Sequence, residues 1–591
     1  MSSTDAPYDV VVEHDVPMET RDGTVLRADV YRPDAEGTFP VLVVRTAYDK
    51  SVRFTPEGKP AVHVSETHFF PQHGYVVVAQ DTRGRYASDG EFTPFFDEAL
   101  DGYDTVEWAA RLPWSDGRVV TCGQSYQAIT QYLTAPLQPP SLRAMSVVSA
   151  PVSFFENCVY RNGVFELGWM LPYFLGLSYD TLERKGLDLR PALEAYLEDP
   201  SVRFSPLKRE HYEHLPISDW GERLAPGAPY FADLLAHSVD GPFWDRTDVL
   251  SRAAEIDTPT LHVGSWYDSF QPDGQRMFRA MRDGAPSAAA RRGQKLIMGP
   301  WGHIPYSHPT TQGAGEAEFG PEALIDLHAI QLRYFDHLLK GVDTGLLDEP
   351  PVRIFVMGEN VWRDEQEWPL ARTRYTPLYL HSGGAANSVR GDGTLSFDAP
   401  AGDEPADGFT YDPHDPVPTR GGTTLMALGM AGGVFDQREI EEREDVLVYT
   451  SDALEADLEV TGPVTMTLFA ASTAPDTDFT AKLVDVRPDG YAANVVDGVV
   501  RARFRDSLRA PTPIEPGAVV EYAIDLWATS HLFRAGHRLR LEVSSSNFPR
   551  YDRNANTGAP FGTDTELRTA EQTIHHDAAR PSAVVLPVIP R

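Results

Sequence analysis

The sequence predicts an α/β protein in three parts: a mostly parallel α/β core, a helical segment set into it, and an all-β C-terminal domain. Three observations carry this expectation. Between residues 39 and 149, near-continuous apolar runs alternate with helix-compatible segments, as strands buried on both faces do. From about 151 to 245 those runs stop, and aromatic, Leu and Arg/Glu residues take over. After about 350, short alternating strands recur between Gly, Pro and Asp turns, the pattern of a sandwich or jelly roll.

The elements follow in order. Val10-Val11-Val12 with Val16 and Met18, then Val25–Tyr31, read as a hairpin turning at Arg21-Asp22-Gly23-Thr24 and ended by Pro33. The apolar strands are Phe39–Arg45, Tyr75–Asp81, Val119–Cys122 and Leu142–Ser149. A helix over 96–111 places Leu100, Tyr103, Val106 and Ala110 on one face. The insertion holds Phe165–Phe174 and Arg190–Leu197. Strand signals return at Thr258–Gly264 and Lys295–Gly299. An amphipathic helix follows with Leu324, Leu327, Ile330, Tyr334 and Leu338, stopping at Gly341. The all-β pattern includes Val352–Val356, Thr465–Ala470, Val519–Ile524 and Arg538–Val543. These spans divide the chain into a core over 1–150 and 246–350, a helical cap over 151–245, and a β domain over 351–591.

Composition narrows the function. The chain has 591 residues, enough for two to four domains, and 42% hydrophobic content supplies a core. A formal net charge of -34 argues against nucleic acid and anionic membranes as partners and favours solubility. Two cysteines, Cys122 and Cys158, exclude a disulfide framework and fit a reducing, cytoplasmic setting; Cys122 reads as a small core residue. Met1–Pro7 has neither a basic region nor an apolar one, so no secretory signal is expected. No apolar run is long enough to predict a membrane span. Self-association as a homodimer is left open.

The chemistry centres on Val119–Ile129. A β-branched run ends at Gly123, Ser125 follows, and a helix-compatible stretch begins. A strand, a sharp turn and a helix put Ser125 at the apex, where backbone N–H groups can hold an oxyanion. The general elbow is G-x-S-x-G, and here Gln127 stands at the second Gly position. Downstream, the loop after the Leu261–Gly264 strand holds Asp268, and the loop after Leu296–Gly299 holds His303. Ser, acid and His in that order, each after a strand, is the arrangement of an α/β-hydrolase triad: Ser125 attacks, His303 takes its proton, and Asp268 orients His303.

These stretches resemble the cocaine esterase / X-Pro dipeptidyl-peptidase-like family of serine hydrolases (CocE/NonD). The matching residues are Arg21-Asp22-Gly23, Ala47-Tyr48-Asp49-Lys50, Asp81–Phe92, Gly123-x-Ser125-Tyr126, Gly264–Asp268, Gly299–His303 and Met357–Arg363. The resemblance implies an α/β-hydrolase core, a helical cap and a C-terminal jelly roll. Family elbows are similar to G-x-S-Y-x-G, and this chain has Ala128 where the last Gly stands, one extra methyl to accommodate. The resemblance also implies an oxyanion hole made of the Tyr126 N–H and the Tyr48 hydroxyl, and an acyl pocket lined by Trp169 and Phe270.

The activity implied is hydrolysis of a small-molecule carboxylic ester through an acyl-enzyme, without cofactor or metal. Alternatives are X-Pro dipeptidyl-peptidase, β-lactam or α-amino-acid ester acylase activity, acyl transfer to another nucleophile, and, outside enzymes, a β-sandwich binding module with an inactive core. A site for a free amino group would need acids at the pocket, and Glu156 and Glu166 in the cap are the candidates. Arg83 and Arg85 read as loop anchors. Asp476, Asp478, Asp485 and Asp489 lack calcium-loop spacing and read as solvated turn residues. His575-His576 lacks neighbouring ligands, and Gly391-Asp392-Gly393 reads as a turn.

Overall fold

A computed structural model of the protein describes residues 7–52, 64–303, 310–425 and 432–591. Residues 1–6, read above for a leader, lie outside the described residues. The N-terminal core is a ten-stranded sheet. Its first six strands are β1 (Val10–Glu19), β2 (Val25–Pro33), β3 (Phe39–Thr46), β4 (Val76–Asp81), β5 (Ser115–Gln124) and β6 (Leu142–Val148). In space the order is β1, β2, β4, β3, β5, β6, followed by Thr260–Tyr267, Lys295–Gly302, Val352–Val356 and Val361–Glu365. From β4 to Val352–Val356 every neighbour runs parallel; β1, β2 and Val361–Glu365 add antiparallel edges.

The apolar runs are continuous because both faces are covered. Val41, Val43, Val76 and Val78 join one buried cluster, while Leu42, Val44, Val77 and Ala79 join another on the opposite face. The helices in chain order are α1 (Val64–Gln72), α2 (Glu98–Ala109), α3 (Tyr126–Thr134) and α4 (Leu167–Arg184). Leu100 was expected on the buried face of α2 but is 49% exposed. Val106 of that face is buried as expected, but Glu98, Asp101 and Thr105 face inward beside it. Arg45 meets Glu98 at 2.8 Å and Arg83 meets Asp101 at 2.6 Å, so the buried acids are paired and the apolar spacing does not set the face. The helix placed from Leu324 starts at Leu327, where Asp326 accepts the Ala329 N–H at 3.0 Å, and ends at Gly341 in the left-handed region.

Between β6 and Thr260–Tyr267 lie a small hairpin, Tyr160–Arg161 with Val164–Phe165, then α4 and shorter helices to Pro242–Asp245. The β-domain boundary drawn at 351 needs correction. Val352–Val356 pairs parallel with Lys295–Gly302, with Leu296 opposite Val352, and turns back into Val361–Glu365. Both strands complete the core sheet. The alternation of Val352, Ile354 and Val356 fits either sheet; the register to Lys295–Gly302 decides it.

The remaining strands, from Arg374–His381 to Ala583–Val588, form an eleven-stranded, almost wholly antiparallel sheet around one core that includes Leu378, Tyr449, Met466, Leu483, Ile524, Leu541 and Val584. The acids of this domain correct a second expectation. Asp476, Asp478 and Asp485 are buried, and only Asp489 is an exposed turn residue. Asp476 meets Arg503 at 2.7 Å, Asp478 meets Arg501 at 2.8 Å, and Asp485 lies 3.0 and 2.8 Å from His531 and His537. His576 is likewise enclosed, between Asp407 at 2.9 Å and Glu404 at 3.1 Å. Among the described residues no helix is long and apolar enough to cross a membrane.

Candidate active site

Parallel strands open their C-terminal ends on one edge, and this edge collects the chemistry. β5 ends at Gln124 and α3 begins at Tyr126, leaving Ser125 between them at φ 56°. Such a backbone is strained for a non-glycine residue and presents the side chain away from sheet and helix. Gly123, two residues earlier, has φ +143°, and a Cβ there would stand 2.5 Å from Gln127 Cβ. Gln127, the departure from the general elbow, turns its carbonyl oxygen back to the Gln124 N–H at 3.3 Å. Ala128 is fully buried in the core.

Asp268 follows the strand Thr260–Tyr267, and His303 follows Lys295–Gly302. His303 Nε2 lies 3.0 Å from Ser125 Oγ, and His303 Nδ1 lies 2.8 Å from Asp268 Oδ1. Asp268 Oδ1 also accepts the Phe270 N–H at 2.9 Å. Asp268 and His303 are buried, at 1% and 3% exposure, so the dyad is shielded from bulk water. A neutral imidazole held this way carries its proton on Nδ1 and offers Nε2 to the serine.

Tyr48 follows β3, the neighbour of β5. Burial raises its phenol above the ordinary tyrosine range, with Tyr173 and Ser125 hydroxyls acting against that shift, so it is a protonated donor at neutral pH. Tyr126 gives its phenol to Glu98 at 2.6 Å, which leaves its backbone N–H, at the first turn of α3, as the group offered. The two predicted pocket aromatics also reach this edge. Phe270 meets the His303 ring at 5.2 Å, and Trp169 meets Phe270 at 5.9 Å.

Four residues here carried no signal in the sequence reading. Gln124 donates its amide to the His303 carbonyl at 2.6 Å. Tyr173, one turn beyond Trp169 on α4, has its hydroxyl 3.1 Å from that of Tyr48. Arg161, 1% exposed, donates to the Ser269 carbonyl at 3.1 Å beside the acid and meets Glu166 at 3.0 Å. Its guanidinium stacks 3.5 Å from the ring centroid of Trp527, a β-domain residue at φ 67° in a bulged stretch of strand. Gln271 donates to the carbonyl of the adjacent Ala528. Arg83 and Arg85 act as loop anchors: Arg83 holds Asp101 and Thr24, while Arg85 donates to the carbonyls of Leu177 and Ala47.

Comparison with known proteins shows the family and the fold. Residues 22–305 match the family model of the X-Pro dipeptidyl-peptidase (S15 family), and 344–585 match the X-Pro dipeptidyl-peptidase C-terminal non-catalytic domain. The chain is 40% identical to a cocaine esterase of Rhodococcus sp. (strain MB1 Bresler), over 99% of this chain and 100% of that protein. A putative serine esterase of Mycobacterium bovis is 28% identical over 89% of each chain. Among solved structures, an α-amino acid ester hydrolase superposes with a TM-score of 0.80 at 25% identity, covering 100% of this chain and 98% of that one. From its sequence along the whole length and its fold, the chain belongs to the CocE/NonD family of serine hydrolases.

Proposed function

We propose that this chain, a serine ester hydrolase, cleaves carboxylic esters of small molecules through an acyl-enzyme in which Ser125 is the nucleophile, His303 the base and then the acid, and Asp268 its orienting carboxylate. The observation that carries the reading is the pair of contacts joining three residues far apart in sequence, Ser125 to His303 at 3.0 Å and His303 to Asp268 at 2.8 Å. His303 takes the serine proton as Oγ attacks the ester carbonyl. The tetrahedral oxyanion is held by the Tyr126 N–H and the Tyr48 hydroxyl. His303 then returns the proton to the leaving alkoxide, and water repeats the sequence to free the acid. Trp169 and Phe270 shape the acyl pocket.

An amide-cleaving reading follows from the S15 name of the family model. Recognition of a free amino group calls for carboxylates open to the ligand. The two cap acids in question are already paired, Glu166 with Arg161 at 3.0 Å and Glu156 with Arg276 at 3.1 Å, which favours the ester. A cytoplasmic setting is proposed from the two buried free cysteines. The test is covalent labelling of the wild type by a fluorophosphonate, lost in Ser125→Ala, followed by rates on a panel of p-nitrophenyl esters against dipeptide anilides. Anilides turned over faster than every ester would replace the ester reading with the peptidase one.

A further inference from the structure

Tyr173 lies on α4 of the inserted segment, four residues after Trp169. Its hydroxyl is 3.1 Å from the Tyr48 hydroxyl, and that is its one hydrogen bond among the described residues. The ring is 8% exposed, packed against Trp169 at 5.5 Å and stacked on Phe204 at 6.0 Å, so the phenol is held in place.

Counting protons gives the contact a direction. A phenol has one proton to donate and lone pairs to accept with. If Tyr48 donated to Tyr173, it would have no proton for an oxyanion, and the Tyr173 proton would face no acceptor among the described residues. If Tyr173 donates to Tyr48, the Tyr173 proton has its acceptor and the Tyr48 proton remains available on the side that faces Ser125. We propose that Tyr173 is a positioning residue for the oxyanion hole: its phenol donates to Tyr48 Oη, fixes the rotation of that hydroxyl and aims the Tyr48 proton at the developing oxyanion. The inference rests on the assignment of Tyr48 as an oxyanion donor.

Two effects follow. The Tyr48 hydroxyl no longer samples its torsion freely, so less reorganisation accompanies the transition state. A donor that itself accepts a hydrogen bond is polarised and binds an anion more strongly. The electrostatics agree in sense: burial raises both phenols, while the contact lowers Tyr48 and raises Tyr173 further. The inserted segment therefore contributes to the rate as well as to the shape of the pocket, since one face of α4 carries both Trp169 and Tyr173.

The test is a double-mutant cycle on the full chain, with p-nitrophenyl butyrate as substrate. Tyr173→Phe keeps the ring and its packing and removes the donor alone. In the wild-type background it should lower kcat roughly 3- to 10-fold, as the loss of one hydrogen bond does, with KM nearly constant. In the Tyr48→Phe background the same substitution should change kcat by less than about 2-fold, because its target is gone. An unchanged kcat for Tyr173→Phe overturns the proposal, and so does an equal loss in both backgrounds, which would mean that Tyr173 acts elsewhere. The Tyr48 assignment is read separately, from Tyr48→Phe alone. A wild-type rate there removes both ideas; a crippled Tyr48→Phe beside an unaffected Tyr173→Phe removes only the role of Tyr173.

Discussion

The amide of Gln124 donates to the backbone carbonyl of His303 at 2.6 Å, so the residue before Ser125 holds the residue whose ring faces Ser125. Ser125 and His303 are thus fixed to each other twice, by the 3.0 Å side-chain contact and by this buried strap. Gln124→Ala leaves the His303 carbonyl without this donor. We expect kcat to fall about 10- to 100-fold, the scale of small misplacements at a reacting centre, with a smaller change in KM. Stopped-flow turnover of a p-nitrophenyl ester measures it; an unchanged kcat would show that other contacts suffice to set His303.

Ser125→Ala and His303→Ala should each reduce kcat about 10⁴-fold or more, and the double variant should lose little beyond either single one, because the groups act as a unit. Additive losses in the double variant would contradict a shared proton path.

Tyr48→Phe removes the hydroxyl proposed as an oxyanion donor and leaves the ring. By comparison with other single-donor losses, kcat should drop about 10²- to 10³-fold, or about 2.7–4 kcal/mol. KM should move little, since the bond strengthens in the transition state. Near-normal kcat would place the second donor outside Tyr48.

His576 gives the β domain a pH dependence of its own. Burial favours the neutral ring, but hydrogen bonds and charge from Asp407 and then Glu404 outweigh it and raise the imidazole above its ordinary 6.5. The folded state therefore holds the proton more tightly than the unfolded one. The stability this adds is fully present below 6.5 and is lost as pH rises through the folded value. Urea midpoints of the wild type should decline across that window, and His576→Gln should flatten the decline. Parallel pH profiles for the two proteins would assign the dependence to other groups.

The positions of Ser125, Asp268 and His303 were legible because each follows an apolar strand, and a strand end in a parallel sheet says which edge a residue occupies. Tyr48 and the pocket aromatics came through a resemblance between motifs. Tyr173 was hidden for a physical reason: on an apolar helix an aromatic that serves another hydroxyl has the same spacing as one that only fills space. The β domain was legible as a class, but its first strand was misassigned at Val352–Val356, since register is a long-range property that alternation does not encode. Asp478 and Asp485 looked like solvent-facing acids, yet their arginine and histidine partners lie many residues away in sequence. The face of α2 was misread in the same way, through Arg45 and Arg83.

The stacking of Trp527 on Arg161, with Gln271 bonded to Ala528, bears on how such enzymes can be recombined. The loop bearing Asp268 is gripped from the C-terminal domain, through Arg161 to the Ser269 carbonyl on one side and through Gln271 on the other. A chimera that grafts a relative's jelly roll onto this N-terminal half would inherit a foreign grip on its own acid. The seam between the halves is accordingly a poor crossover point for shuffling libraries unless residues 527 and 528 travel with Arg161 and Gln271.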